Sequence, residues 1–550
     1  MTIRTRTDSL LLAGFCSFLF FYGLGQFGLI GADEPRYAQV AREMLARHLW
    51  ITPVLGGQPW LEKPPLYYWQ GMLAYAVFGV SDWAARLPAA FDATILVLAV
   101  YFFLRRFRRG VELDGALIAA SCAGVTGYAH AASMDMALAA AFTVAMLGWW
   151  GWRESGKRIY LAGFYGCLAL GTLAKGPVAP FLAFIVIVFY AAAVRELRLV
   201  VETLWLPGIL LFCAGALPWY VAVQMRNPQF FREFIIEHNL GRFSKNLYHH
   251  TEPFWYYFPV AALALVPWIV FVVSAFVQTV RRWWLERQSI ATHGIRPESQ
   301  LAIFGGCWLI VPVLFFSISQ SKLPGYVLPS IPAGALLVVD YLRHHLEQSE
   351  AGQVPGWLAI LHALVASAPM VPALLIAYLV TQHRLPGGRP MLVALAIAFG
   401  LCAGIALTLV GKNGLRMLRF VTLIPVVLTV GAVLKLGSQP LDQMLSVRPL
   451  ALQIAAVEVH PLPLAVYHLR RELEYGLTFY RNHLTFNYDW GSVPQEEHLL
   501  VAPENSQVEI AKRVAGRRVS YLGHYAPQGV DYYWVAAAGT VSTQEKPPHN

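Results

Sequence analysis

Long uncharged apolar stretches alternate with short charged knots along most of this chain. Apolar runs of spanning length lie near 9–30, 83–104, 114–131, 136–152, 159–174, 178–194, 203–223, 254–280, 301–319, 324–342, 356–381, 390–410 and 417–437. Each approaches the ~20 residues that a helix needs to cross a bilayer. The pattern therefore predicts an all-α polytopic membrane protein with about thirteen transmembrane helices. The stretch 65–80 is a further candidate, and charge arbitrates. If 65–80 does not cross, one side of the membrane receives Arg4, Arg6, the cluster Arg105, Arg106, Arg108 and Arg109, then Arg153, Lys157, Arg158, Arg195 and Arg198. The same side receives Arg281, Arg282, Arg287, Arg296, Arg343, Lys412, Arg416 and Arg419, whereas short loops opposite hold only Lys175, Lys322, Arg384 and Arg389. Basic residues mark the cytoplasmic side. A crossing at 65–80 would turn the 105–109 cluster outward, so this Trp- and Tyr-rich stretch is expected to lie as a helix at the outer interface.

The N-terminus is then inside, and an odd number of spans places residues 438–550 outside. That tail is less apolar, with a charged stretch Tyr467-His468-Leu469-Arg470-Arg471-Glu472 and a strand-like run Val519-Ser520-Tyr521-Leu522. It reads as a small α/β domain. The expected organisation is a membrane domain over 1–437, with a first outer loop at 31–82, and an outer domain over 438–550. The first apolar run reads as a retained span and not as a cleaved signal.

The chain is 57% hydrophobic and 13% charged, with a net charge of +10. In a membrane protein such an excess is mostly topological, and no nucleic-acid partner follows from it. All six cysteines lie inside apolar runs without metal-site spacing and read as small core residues. No internal repeat is evident, which disfavours transporter architectures built on inverted halves. No nucleotide-binding loop is present either.

Charges this close to a bilayer are costly without partners or a task. Asp33, Glu34 and Arg36 follow the first run at once, in Gly31-Ala32-Asp33-Glu34-Pro35-Arg36-Tyr37, and Glu62-Lys63 lies in the same outer loop. The same face receives Asp135 in a minimal turn, Lys175 in Ala174-Lys175-Gly176-Pro177, Glu237-His238-Asn239-Leu240-Gly241-Arg242-Phe243, and Ser321-Lys322-Leu323-Pro324-Gly325-Tyr326. Each has a bland alternative. Asp33-Glu34-Pro35 suits a helix start, Glu62-Lys63 a solvated pair, Lys175 and Lys322 snorkelling amines, and Asp135 and His238 plain loop residues. Their joint placement on one face is the stronger signal. Lys63, Lys175, Lys322 and Arg242, backed by Tyr326, suit a phosphate or diphosphate. Asp33, Glu62 and Asp135 supply carboxylates for base chemistry, a divalent ion or a cationic substrate group. Asp92, inside the second run, has no assigned role beyond pairing within the bundle.

These motifs, with Leu61-Glu62-Lys63-Pro64-Pro65 and Tyr475-Gly476-Leu477-Thr478-Phe479-Tyr480 in the tail, resemble the GT-C glycosyltransferases of the protein O-mannosyltransferase-like branch. More narrowly, they resemble the bacterial 4-amino-4-deoxy-L-arabinose transferases that modify lipid A. The resemblance implies a GT-C fold with periplasmic interfacial helices and a C-terminal periplasmic domain, in the bacterial inner membrane. It implies a donor in which undecaprenyl phosphate carries the aminosugar, lipid A as acceptor, and polymyxin resistance as the outcome. The enzyme is expected to be a monomer. Asp33, with Asp135, would be the catalytic carboxylates. Glu34, Arg36, Tyr37, Lys63, Lys175, Arg242, Lys322 and Tyr326 would bind substrate. Glu62 and His238 would hold one divalent ion (zinc, magnesium or manganese). The nearest alternative is a polyprenyl-phosphate-sugar transferase acting on protein hydroxyls; a transporter of a polyprenyl-linked substrate is a more distant one.

Overall fold

A computed structural model of the chain describes residues 3–234, 252–287, 297–348, 354–381, 389–412 and 414–539. It is mostly helical, with the helices gathered into one bundle and a small mixed sheet at the C-terminal end. Seven described helices are long and apolar enough to cross a membrane: Asp82–Phe107, Leu206–Arg226, Ser299–Ile318, Pro324–Glu347, Gly356–Leu375, Met391–Val410 and Gly414–Leu436. An eighth counts if Phe254–Ala264 and Ile269–Glu286, bent by 115° at their junction, act as one.

Thirteen apolar runs thus become fewer single long helices, for identifiable reasons. The run at 9–30 forms a helix Ile3–Cys16 and a π turn Ser17–Phe21, then leaves helical geometry at Tyr22. The run at 114–131 is divided into Glu112–Ser121 and Ala123–Ala129 by the extended backbone of Cys122. Helices Asp135–Ser155 and Arg158–Lys175 are interrupted in hydropathy by Gly, Trp and Tyr, yet most of their side chains are buried. Small residues let neighbouring backbones approach, which is how helices associate inside lipid. A Cβ on Gly148 would lie 2.9 Å from the Tyr160 carbonyl oxygen. Outward-facing apolar side chains such as Leu206, Leu210, Phe399 and Leu407 are more than half exposed, as expected of a surface that meets lipid tails.

The 31–82 segment forms helix Asp33–Ala46, a two-stranded hairpin β1 (Val54–Leu55) and β2 (Gln58–Pro59), and helix Leu66–Phe78. The last is only 13 residues long and packs on Asp33–Ala46, as expected for a helix that does not cross. Gln70 on this helix donates to Asp92 at 3.0 Å, so the buried carboxylate of the second span has its partner there.

After helices Ser438–Leu445 and Arg448–Val457, the tail folds into strands β3 (Leu464–Val466), β4 (Thr485–Asn487), β5 (His498–Pro503), β6 (Val519–Tyr525) and β7 (Val530–Val535). The sheet order is β4-β3-β5-β7-β6, with β3 parallel to β4 and β5, and β7 antiparallel to β5 and β6. Helix Arg471–Arg481 makes the crossover between parallel β3 and β4. Polar anchors fasten this unit to the first outer loop. Arg448 bonds Asp82 and Asp442, each at 2.8 Å, and Tyr480 donates to Asp82 at 2.7 Å. Arg42 donates to the Phe479 carbonyl at 3.1 Å.

Candidate active site

Helix Asp33–Ala46 begins with two acids, which suits the positive end of its dipole. Ala32 stands at the cap position without a side-chain bond, so Asp33 is not needed as a cap. The two acids, adjacent in sequence, point to different environments. Glu34 is buried. Its carboxylate accepts Arg86 through Nη2 at 2.7 Å and Nε at 3.1 Å, and also the backbone N–H groups of Ile30 at 2.7 Å and Ala132 at 2.6 Å. Arg86, fully buried, directs its remaining donors to the carbonyls of Leu24, Phe27 and Gly28, each at 2.8 Å. All five guanidinium donors are thereby used. Glu34 was expected among the substrate contacts. The geometry corrects this: its oxygens are consumed in tying the first outer turn to the second span and to the turn before Asp135.

Asp33 is half-exposed and accepts Arg36 Nη2 at 2.5 Å. Arg36, also expected at the substrate, is nearly enclosed. Its guanidinium lies 5.0 Å from the centre of the Tyr37 ring and 5.4 Å from those of Trp60 and Tyr475, a three-ring cage. Nη1 approaches Glu62 at 4.0 Å. Tyr475 arrives from the C-terminal domain, so that domain completes the cage. Arg36 thus holds Asp33 in place. Tyr37 is buried against Tyr67 and Tyr68; burial pushes its phenol well above the usual tyrosine range, reinforced by the charges of Asp33 and Asp135. Asp33 and Asp135, far apart in sequence, therefore act on one phenol.

The second half of the site comes from three tight turns. Asp135 starts its helix and pairs with Lys175, which ends another. The Lys175 ammonium also sits 4.4 Å from the centre of the Tyr326 ring. Tyr326 packs on Phe316 at 4.9 Å and is stacked on Tyr257 at 6.5 Å, and Tyr257 OH receives the Leu323 N–H at 2.9 Å. Gly325 is required by this approach: a Cβ there would lie 2.7 Å from the Asp135 carboxyl carbon and 2.8 Å from Tyr128 OH. Lys322 is buried, with Nζ donating to the Ser319 carbonyl at 2.6 Å, so its amine is turned into its own loop. Lys63 lies half-buried beside Glu62. Arg242 and His238 lie outside the described residues.

The expected ion at Glu62 and His238 can be tested on Glu62, whose near neighbour is the Arg36 guanidinium. Among the described residues no group of three His, Cys, Asp or Glu side chains is placed to share an ion. The other expected ligand, His238, lies outside the described residues, and no step is assigned to an ion.

Sequence reasoning missed Arg86, Trp60, Asp82 and Arg448. A lone arginine one turn inside an apolar run was a readable signal for Arg86. The other three gain meaning only from partners distant in the chain.

The family model for dolichyl-phosphate-mannose-protein mannosyltransferases matches residues 10–232. The crystal structure of ArnT from Cupriavidus metallidurans bound to undecaprenyl phosphate has the same fold, with a TM-score of 0.74 over 98% of this chain and 99% of that one at 22% identity. With the relatives that follow, these matches define a membrane glycosyltransferase that uses a sugar carried on a lipid phosphate. Among relatives, the undecaprenyl phosphate-alpha-4-amino-4-deoxy-L-arabinose arabinosyl transferase of Aeromonas salmonicida is 31% identical over 78% of both chains. That of Pseudomonas aeruginosa is 31% identical over 73% of this chain and 71% of its own. The chain belongs to this arabinosyl transferase family.

Proposed function

We propose that the chain transfers 4-amino-4-deoxy-L-arabinose from undecaprenyl phosphate to a phosphate of lipid A, conferring resistance to polymyxin and other cationic peptides. The reading places it in the bacterial inner membrane with about thirteen crossings, a cytoplasmic N-terminus and a periplasmic site and tail. The observation that carries the reading is the reachable Asp33 carboxylate, fixed by a caged Arg36, on the same face as the Asp135–Lys175–Tyr326 cluster.

In the transfer, an acceptor phosphate oxygen bonds to the anomeric carbon as the bond from that carbon to the undecaprenyl phosphate oxygen breaks. The electron pair leaves with the carrier phosphate. A phosphate acceptor is already largely ionised near neutral pH, its second pKa being about 6. It needs little deprotonation. Asp33 therefore orients the acceptor or pairs with the donor's ammonium, and its anchor on Arg36 keeps it directed. An ammonium carries three donors. Asp135 takes one from Lys175 and Ser319 takes one from Lys322, leaving others for the phosphate that leaves. Lys63 and Arg242 complete this cationic set in the reading.

The test is transfer by purified protein in detergent with synthetic lipid-linked aminosugar, offered lipid A or a serine- and threonine-rich peptide. Sugar on lipid A alone supports the proposal. Sugar on the peptide hydroxyls alone refutes the acceptor and favours the protein O-glycosyltransferase alternative.

A further inference from the structure

Helix Asp82–Phe107 starts beside the Asp33 site and ends about 39 Å away by helix rise. At that far end lies a polar cleft of about 940 Å³, which includes Arg108, Arg153, Arg343, Asp340 and Glu286. Most of its arginines are paired: Arg108 with Glu154 at 2.6 Å, Arg153 with Glu196 at 2.9 Å and Arg343 with Glu347 at 2.8 Å. Arg282 differs. Its Nη2 is buried and takes no hydrogen-bond partner among the described residues. Burying such a donor without an acceptor costs free energy.

Arg282 also closes a second cavity, a groove of about 770 Å³. Ile269, Val273, Val277 and Arg281 mark one stripe of helix Ile269–Glu286 along it, and Leu358 and Leu361 form the facing wall. The stripe from Ile269 to Leu285 runs about 24 Å, longer than the ~15 Å of hydrocarbon in one leaflet. The groove is apolar at its Ile269 end and turns polar at Gln278, Arg281, Arg282 and His345. His345 Nδ1 is engaged by the Tyr341 carbonyl at 2.9 Å, which leaves Nε2 as the ring's remaining polar atom. Glu286, one turn beyond Arg282, has Oε2 buried without a partner on the cleft side.

We propose that this groove binds an anionic glycerophospholipid in the leaflet remote from Asp33. An acyl chain lies along Ile269, Val273 and Val277. The phosphate takes the guanidinium groups of Arg281 and Arg282, which line the polar end of the groove. Apolar length ending in paired cations is the chemistry of a lipid with a charged head, and basic pockets between membrane helices recognise such heads.

Native mass spectrometry of the full chain in detergent, titrated with phosphatidylglycerol or with phosphatidylcholine of the same chains, tests this. The wild type is expected to retain phosphatidylglycerol preferentially. The R281Q/R282Q protein should lose that preference by roughly fivefold per arginine, and R282K should keep most of it. Val277→Trp fills the groove while sparing both arginines and should reduce retention of the lipid. Equal retention of the two lipids by the wild type would overturn the proposal. So would an unchanged preference in R281Q/R282Q, unchanged retention in V277W, or displacement of the lipid by millimolar inorganic phosphate. The readout is retained lipid, not sugar transfer, so its failure leaves the proposed activity untouched.

Discussion

The buried guanidinium of Arg86 holds the carboxylate of Glu34 by two hydrogen bonds, at 2.7 and 3.1 Å, directly beneath the turn that presents Asp33. Removing one partner of a buried pair leaves an uncompensated charge and costs roughly 3–5 kcal/mol. Glu34→Gln should therefore lower the thermal midpoint of the detergent-solubilised protein and its yield in membranes. Asp33→Asn, at a half-exposed position, should leave both close to wild type.

The Arg36 cage links the C-terminal domain to the site through Tyr475. A cation–π contact of this kind contributes about 0.5–2 kcal/mol. Tyr475→Phe keeps the ring and should retain transfer. Tyr475→Ala opens the cage and should lower kcat several-fold, with little change in thermal midpoint; steady-state kinetics on the two variants checks this.

Asp135 and Lys175 neutralise one another beside Tyr326. Groups that act as a pair have non-additive effects. Asp135→Asn and Lys175→Met should each reduce kcat/KM, and the double variant should fall well short of the product of the two losses. Multiplicative losses would show that the two side chains work independently.

In the C-terminal domain, His498 is buried between Tyr488 OH at 2.5 Å and the Glu496 carbonyl at 2.8 Å. Burial holds its pKa below the usual histidine value. The unfolded chain, with a histidine pKa of about 6.5, then binds more protons than the folded one in acid. Stability from this group is complete above about pH 6.5 and is lost as pH falls through the depressed folded value. Wild type should show a falling thermal midpoint below pH 6.5, and His498→Gln a flatter profile, in differential scanning fluorimetry across pH 5–8.

Much of this arrangement was legible in the chain. Charge parity alone argued that 65–80 does not cross, and Leu66–Phe78 is a short helix packed on the first outer helix. The pattern places the Asp135, Lys175 and Tyr326 turns on one face because rigid helices hold short turns at one surface, and the structure brings the three side chains together. What stayed hidden depended on direction and on distant partners. Successive residues on a helix point about 100° apart, so Asp33 and Glu34 looked equivalent until Arg86 claimed one of them. Arg36 reads as a substrate contact because charge is visible in sequence and enclosure is not. The break at Cys122 follows from its backbone torsions, which no apolar count registers.

The most direct test of Asp33 as the functional carboxylate is lipid A from cells whose only copy of the enzyme is Asp33→Asn, measured by mass spectrometry with membrane levels of the protein matched to wild type. Misplacing a reacting group by about 1 Å costs on the order of 10²-fold. The account predicts aminoarabinose-modified lipid A reduced by at least that factor while the protein remains folded. Modification at the wild-type level by the folded variant would contradict it.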